Sequence, residues 1–275
     1  MTTLHNKVVV ITGAASGIGQ ALARSIASRG AVLALVDVDD AGLESICAEL
    51  SETGTAVSSH IVDVSDRGTM EQLPQDIVNA HGSVDVLINN AGVNVGAMFD
   101  DHSIDDAEWL LGINLNGVIY GCKFFLPYLK QTPEAHIVNV SSMLGFFSMP
   151  GQAMYSASKA GVRAFSEALW SELSNTSVRV TTVHPGAIRS NMVRSSRMPD
   201  AEAKLQAAKL QEKYGMPTEK AAEKIVRAIE RNKLRVVVGM DAHIGEFLKR
   251  MFPVSLQRLL GLFFKGKDDR KKLAG

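Results

Sequence analysis

Tyr155 and Lys159 bracket the run Tyr155–Ser156–Ala157–Ser158–Lys159. Four residues apart on a helix, they share one face and stand one turn from each other. A phenol ordinarily titrates near pH ~10 and is a poor base at neutrality. A nearby ammonium favours the phenolate, so the pair is expected to hold the Tyr155 pKa down. Such a pair can exchange a proton with an alcohol or ketone oxygen near neutral pH. A surface helix with a solvated lysine produces the same spacing, so the surroundings must decide.

A second chemical feature lies near the N-terminus. Thr12–Gly13–Ala14–Ala15–Ser16–Gly17–Ile18–Gly19 follows the apolar, β-branched run Lys7–Ile11 and precedes a helical spacing over Gln20–Arg29, with Leu22 and Ile26 on one side. Strand, glycine loop and helix together form a phosphate cradle. The glycines admit a pyrophosphate, and the helix N-terminus supplies free N–H groups and partial positive charge. The next apolar run, Val32–Val36, ends at Asp37. A carboxylate at that strand tip accepts hydrogen bonds from an adenosine ribose and repels a 2′-phosphate. No lysine or arginine occurs in the glycine loop or directly after Asp37, so NAD is expected ahead of NADP. A helix N-cap is the plainer role for Asp37, and Asp39 and Asp40 also qualify.

The elements that must position these groups alternate. Strands are expected at Ala56–Val62, ending at Asp63–Val64, at Val84–Ile88, at Ile137–Val140 and at Val178–Val183. Helices are expected at Asp66–Ala80, Trp109–Lys130 and Ala153–Leu173. Repeated βα units imply a doubly wound parallel sheet with helices on both faces, an α/β fold. Polar and glycine clusters follow the strands at 89–92, 141–142 and 184–186, where such sheets bind ligands.

On these residues the chain resembles the short-chain dehydrogenase/reductase family. The motifs are TGAASGIG at 12–19, NNAG at 89–92, Asn114 in INLNG, SSMLG at 141–145 with YSASK at 155–159, and PGAI at 185–188. The resemblance implies an extended Rossmann fold, a nicotinamide cofactor, and interconversion of a secondary alcohol and a ketone or aldehyde. It makes Tyr155 the acid/base and Ser142 the donor that fixes the substrate oxygen. It makes Lys159 the group that lowers the Tyr155 pKa and binds the nicotinamide ribose. Asn114 would interrupt its helix and hold a water in a relay with Lys159. For the cofactor it implies Gly13, Ser16, Gly17, Ile18 and Gly19 around the pyrophosphate, Asp37 on the ribose, Asp63 and Val64 at the adenine, Asn90 beside the adenosine half, and the Ile188 backbone on the carboxamide. Ser190 stands where the family often has threonine. A non-catalytic, redox-sensing NAD(H)-binding protein of this fold is the alternative, but it has no need of Asn114, Ser142, Tyr155 and Lys159 together.

Bulk properties suit one domain over residues 1–275. Net charge is zero, from 29 basic and 29 acidic residues, so no basic field points to nucleic acid. Cys47 and Cys122 sit in apolar helical patterns and read as core residues, with no metal set expected. No signal peptide is apparent, and the expectation is cytoplasmic. A substrate lid is expected at 192–214. Met98, Phe99, Met143, Phe146, Phe147, Met149 and Met192 favour a lipophilic substrate, while Arg189, Arg194 and Arg197 suit either an acidic substrate group or a solvated lid.

Small residues on the Tyr155 helix (Ala153, Ala157, Ala160, Gly161, Ala164 and Ala168), with Gly117 and Gly121 on the preceding helix, allow close helix contact. A homodimer or homotetramer is expected. Residues 241–275 are expected to form an apolar helical extension with a basic tail. Its segment 244–264 must pack on its own subunit, on a partner, or on a membrane surface, with Lys265, Lys267, Arg270, Lys271 and Lys272 favouring anionic lipid in the last case.

Overall fold

The structure, a computed structural model, describes residues 3–262. Seven parallel strands form one sheet in the order β3-β2-β1-β4-β5-β6-β7. The strands are β1 Val8–Thr12, β2 Val32–Asp37, β3 Val57–Ile61, β4 Val86–Asn89, β5 Ala135–Val140, β6 Val178–Pro185 and β7 Arg235–Val238. Because helices cover both faces, the inner strands are buried on both sides and mostly apolar, with a few buried polar side chains such as Asn89, His136 and Asn139 among them. All of β1, β4 and β5 is buried.

The helices are α1 Gly17–Ala27, α2 Asp40–Glu52, α3 Arg67–His81, α4 Ile104–Leu111, α5 Gly117–Leu129, α6 Ala153–Glu172, α7 Met192–Ser195, α8 Ala201–Tyr214, α9 Thr218–Glu230 and α10 Met240–Met251. On one face α1, α2 and α9 bury Leu22, Ile26, Leu43, Ile46, Ile225 and Ile229 against Val9, Ile11, Leu33 and Leu35. On the other, α3, α5 and α6 bury Met70, Ile77, Val118, Phe125, Val162 and Leu169 against Val8, Val10, Ala34 and Val36. Side-chain alternation along each strand feeds the two cores. Cys122 lies in the second, where burial pushes its thiol up to about 12.

The long helix expected over Trp109–Lys130 is two helices joined by a π turn, Gly112–Asn116. It starts earlier because Ser103 caps α4 by accepting from the Asp106 N–H. The extra residue of the π turn rotates Asn114 inward, where its side chain is buried. The run Ile104–Leu129 is long and apolar enough, by length and composition alone, to cross a membrane. Val118, Cys122, Phe125 and Leu129, however, lie in the sheet-facing core.

Two small residues expected to face a partner subunit do not. A side chain on Gly117 would strike Val64, and one on Gly121 would strike Asn89, so both bring α5 onto its own sheet. Ala157, Ala164 and Ala168 of α6 do face solvent. In the C-terminal extension, α10 contacts the 143–147 segment: a Cβ on Gly245 would meet the Phe147 ring. The Gln257 amide donates to the Ser148 carbonyl at 3.2 Å. Phe263 and Phe264, and the basic residues Lys265, Lys267, Arg270, Lys271 and Lys272, lie outside the described residues.

Candidate active site

The strand order reverses between β1 and β4, and a cleft of ≈ 380 Å³ opens there at the carboxyl ends of the strands. Its near wall is the glycine loop. Gly13 and Gly17 have φ of +66° and +55°, a region that favours glycine. A Cβ on Gly13 would come within 2.8 Å of the Ala91 Cα. Ser16 holds the N-cap position of α1 but its hydroxyl caps nothing. The first N–H groups of the helix therefore keep the free dipole end that a pyrophosphate needs. Gly13, Ser16, Gly17 and Ile18 line the cleft. Gly19 does not: a Cβ there would strike the Gly13 carbonyl, so this glycine lets α1 pack behind the loop.

Asp37 lines the same end. Its Oδ2 accepts from the Ala15 N–H at 2.9 Å, and its Oδ1 accepts from Val38 and Asp39 at 2.8 and 3.2 Å. It does not cap α2; Asp39 does, accepting from the Gly42 N–H at 3.1 Å. A carboxylate offers about four acceptor sites, so Asp37 keeps capacity for a ribose hydroxyl while holding the loop. Asp63 turns the chain after β3, accepting from the Ser65 N–H and hydroxyl at 2.8 and 2.7 Å, and with Val64 it borders the cleft. Asn90 also borders it, yet its amide donates to the Thr12 and Gly13 carbonyls at 2.9 and 3.1 Å. Thr12 completes the tie by accepting from the Asn90 and Ala91 N–H groups at 3.0 Å. These residues fit a dinucleotide: an uncapped helix end, a cradle a Cβ would fill, and an acidic group at the second strand tip.

The far wall carries Ser142, Tyr155 and Lys159. Lys159 is buried and donates to the Val140 carbonyl at 3.0 Å, and burial lowers its pKa to about 8. Its Nζ lies 5.9 Å from the centroid of the Tyr155 ring. The expected depression of the phenol pKa is not found. Burial raises the Tyr155 pKa, opposed only by a hydrogen bond with Ser142. The reason is desolvation, which disfavours the charged form of both groups at once. The Tyr155 hydroxyl also faces the Met192 sulfur at 3.9 Å.

Ser142 is fixed from two sides. Its hydroxyl accepts from the Leu144 N–H at 3.1 Å, and its carbonyl accepts from Nδ1 of the buried His184 at 3.1 Å. That His184 ring stacks on Phe146 at 4.1 Å. The neighbouring Ser141 is structural: its hydroxyl donates to the Lys159 carbonyl at 2.8 Å and ties α6 to β5. Asn114 does not line the cleft but stands behind it, bonded to the Val93 peptide and donating to the Ser158 hydroxyl at 3.2 Å.

Ile188 closes the far end with its side chain buried. Its bridge to Met216 uses the Ala187 carbonyl and the Arg189 N–H, leaving the Ile188 N–H outside it.

Of the seven large apolar residues expected around a substrate, only Met192 borders this cleft. Met98 and Phe99 are exposed, and Phe146 and Phe147 pack toward His184 and α10. Tyr155 packs instead with Val93, Val95, Trp109, Leu110, Leu144 and Met154. Sequence spacing alone does not reveal this set, because it converges from four separate segments.

The three lid arginines are engaged by the protein. Arg189 donates to the Gly215 carbonyl at 2.8 Å, and Arg194 pairs with Glu212 at 2.8 Å. Arg197 pairs with Asp106 at 2.6 Å and lies 3.6 Å from the Trp109 ring centroid. In the 192–214 segment, Met192, Ser195 and Gln211 reach the cleft. Among the described residues no group of His, Cys, Asp or Glu is arranged to hold a metal ion.

Comparison with known proteins matches this geometry. Residues 7–201 match the short chain dehydrogenase family. Over 264 residues the chain is 36% identical to the oxidoreductase SadH of Mycobacterium tuberculosis, covering 94% of this chain and 96% of that protein. A short chain dehydrogenase/reductase from Burkholderia phymatum, solved in complex with NAD, aligns with a TM-score of 0.87 at 29% identity, covering 94% of this chain and 97% of its own. An alcohol dehydrogenase from the archaeon Thermococcus sibiricus, complexed with 5-hydroxy-NADP, aligns at 0.74 with 28% identity, covering 85% and 96%.

Proposed function

The chain belongs to the short-chain dehydrogenase/reductase family, and on that premise we propose that it interconverts a lipophilic secondary alcohol and a ketone, or an aldehyde, with NAD preferred over NADP. The observation that carries the reading is the convergence of Tyr155, Ser142 and Lys159 on one cleft whose other end is an uncapped helix N-terminus.

A bound nicotinamide supplies or accepts the hydride. The remaining work falls to side chains of this protein. Gly13, Ser16, Gly17 and Ile18 hold the pyrophosphate, Asp37 the adenosine ribose, and Asp63 and Val64 border the adenine. Asn90 keeps the loop in place. The Ile188 N–H is free to bond the carboxamide, and Lys159 the nicotinamide ribose. Tyr155 transfers the proton at its hydroxyl to or from the substrate oxygen, and the Ser142 hydroxyl donates a second hydrogen bond to that oxygen as charge develops on it. Asn114 serves from behind the wall.

The lipophilic preference rests on two features. Tyr155 packs among the apolar side chains Val93, Val95, Trp109, Leu110 and Met192. Arg189, Arg194 and Arg197 all have protein partners, which leaves none of the three unpaired for an acidic substrate. We further read the working form as a cytoplasmic homodimer or homotetramer, with the solvent-facing alanines of α6 among its contacts.

The test is a panel of alcohols and ketones of graded chain length with NAD(H) and NADP(H), run on the intact protein and on Tyr155→Phe. Long-chain apolar substrates should give the higher kcat/KM. Tyr155→Phe should lose turnover and still bind NADH, since only the proton path is cut. Activity of the variant within about tenfold of wild type would overturn the role given to Tyr155.

A further inference from the structure

Helix α10 begins directly beyond β7, and its first turn reaches across to the turn that follows β6. There the Ala187 N–H donates to Oδ2 of Asp241 at 2.6 Å. A side chain on Gly186 would run into the same carboxylate. The glycine is therefore what lets Asp241 approach the backbone.

The rest of this turn is tied on every side. The Gly186 N–H donates to the Val238 carbonyl at 2.8 Å. The Ala187 carbonyl accepts from the Met216 N–H at 2.9 Å, and the Arg189 N–H donates to the Met216 carbonyl at 2.8 Å. The Gln211 amide donates to the Ile188 carbonyl at 2.7 Å. Asp241 supplies the one side-chain acceptor among the ties on the residue before Ile188. Its own position is set by α10, which Glu246 fastens to β7 through an ion pair with Arg235 at 3.0 Å.

We propose that Asp241 is a positioning residue for the nicotinamide half of the cofactor site. It holds the Gly186–Ala187 turn so that the Ile188 N–H points into the cleft at the end that carries Ser142 and Tyr155. The inference rests on the reading of the cleft as a nicotinamide dinucleotide site. It assigns part of that site to a helix beyond the last strand, outside every motif that marks the family in this sequence. The adenosine half is built on β1, β2 and β3, far from this turn in the sheet order. An effect of Asp241 confined to one half of the ligand is therefore the signature of positioning, whereas general loosening of the fold would weaken both halves.

The experiment compares NADH with ADP-ribose, which lacks the nicotinamide ring, by titration calorimetry. Asp241→Ala should weaken NADH by about tenfold, the size expected for losing a hydrogen bond to a charged acceptor, and leave ADP-ribose unchanged. Asp241→Asn retains an acceptor oxygen and should restore most of the NADH affinity. In the protein without ligand, hydrogen exchange at the Ala187 amide should speed up in Asp241→Ala and not in Asp241→Asn. Unchanged NADH binding in Asp241→Ala overturns the proposal, as does equal loss of both ligands. Wild-type protein that binds neither ligand overturns the cofactor reading itself, and this proposal with it.

Discussion

Asn114 and Val93 hold each other through two hydrogen bonds: Oδ1 accepts from the Val93 N–H at 2.8 Å, and Nδ2 donates to the Val93 carbonyl at 2.9 Å. The side-chain amide thus pairs with a cleft-lining peptide much as a neighbouring strand would. A side chain on the adjacent Gly92 would lie 3.2 Å from Asn114 Oδ1 and 3.3 Å from Lys159 Nζ. Replacing Asn114 with leucine leaves both Val93 backbone groups without that partner, at a cost of about 1–3 kcal/mol each. Asn114→Leu is expected to lose about 2–4 kcal/mol in urea unfolding and to lower kcat. Stability equal to wild type would show that water replaces the amide without penalty.

Cofactor choice should follow Asp37. NADH is expected to give a higher kcat/KM than NADPH. Asp37→Ala should narrow the gap by removing the charge that repels a 2′-phosphate. It should also weaken both cofactors, because the Ala15 N–H loses its acceptor. A wild-type preference for NADPH would sink this assignment.

Acid should unfold the protein through two buried histidines. Burial lowers His136 and His184 from 6.5 to about 4. Between those values the unfolded chain takes up protons that the folded chain refuses, so stability falls as pH drops from 6.5 towards 4. Every tenfold loss of proton affinity on folding is worth about 1.4 kcal/mol, so the pair together withdraws several kcal/mol. Urea midpoints measured at about pH 7 and about pH 4.5 would detect it. Replacing His136 with glutamine should flatten the slope, and a midpoint indifferent to pH would count against the account.

The outer face of α10 presents Met240, Ile244, Phe247 and Met251 at helical spacing, with exposures of 74%, 52%, 60% and 58%. Burying a side chain such as Phe247 is worth about 1.5–3 kcal/mol. Contact between subunits is the expected cover. Phe247→Lys should then lower the particle mass in light scattering at micromolar concentration, and the intact protein should stay in solution when anionic vesicles are pelleted. Sedimentation of the intact protein with the vesicles, with unchanged mass for the variant, would assign the stripe to lipid instead.

Much of the sheet is legible in the sequence because β1, β2 and β4 are continuous apolar runs bounded by glycine or polar clusters, whereas the edge strand β7 is not among those expected. β1, β2 and β6 fall within a residue or two of their expected limits. The element that departs most, the broken helix around Asn114, departs because residues 109–130 carry an unbroken apolar pattern that gives no sign of one inserted residue. Helix α9 carries a clear signal, Ala221, Ala222, Ile225, Val226 and Ile229 at helical spacing opposite a charged face, yet no helix is expected there. At the site, the Tyr155–Lys159 pair can be read from spacing, whereas Ser142 enters through the family resemblance. The Tyr155 protonation balance cannot be read from either, because it depends on burial by residues distant in the chain. Asp241 is equally hidden: an aspartate in the first turn of a helix is an ordinary dipole partner until the opposing backbone is seen.

The 3.9 Å approach of the Tyr155 hydroxyl to the Met192 sulfur has a consequence for the direction in which the site is primed. A thioether is a weak acceptor and has no proton to give, so the phenol keeps its own and points it toward the reaction space. Burial favours that same uncharged state. On the role proposed for Tyr155, the ligand-free centre would therefore be loaded as a donor, and a carbonyl oxygen that displaces Met192 would exchange a poor acceptor for a good one.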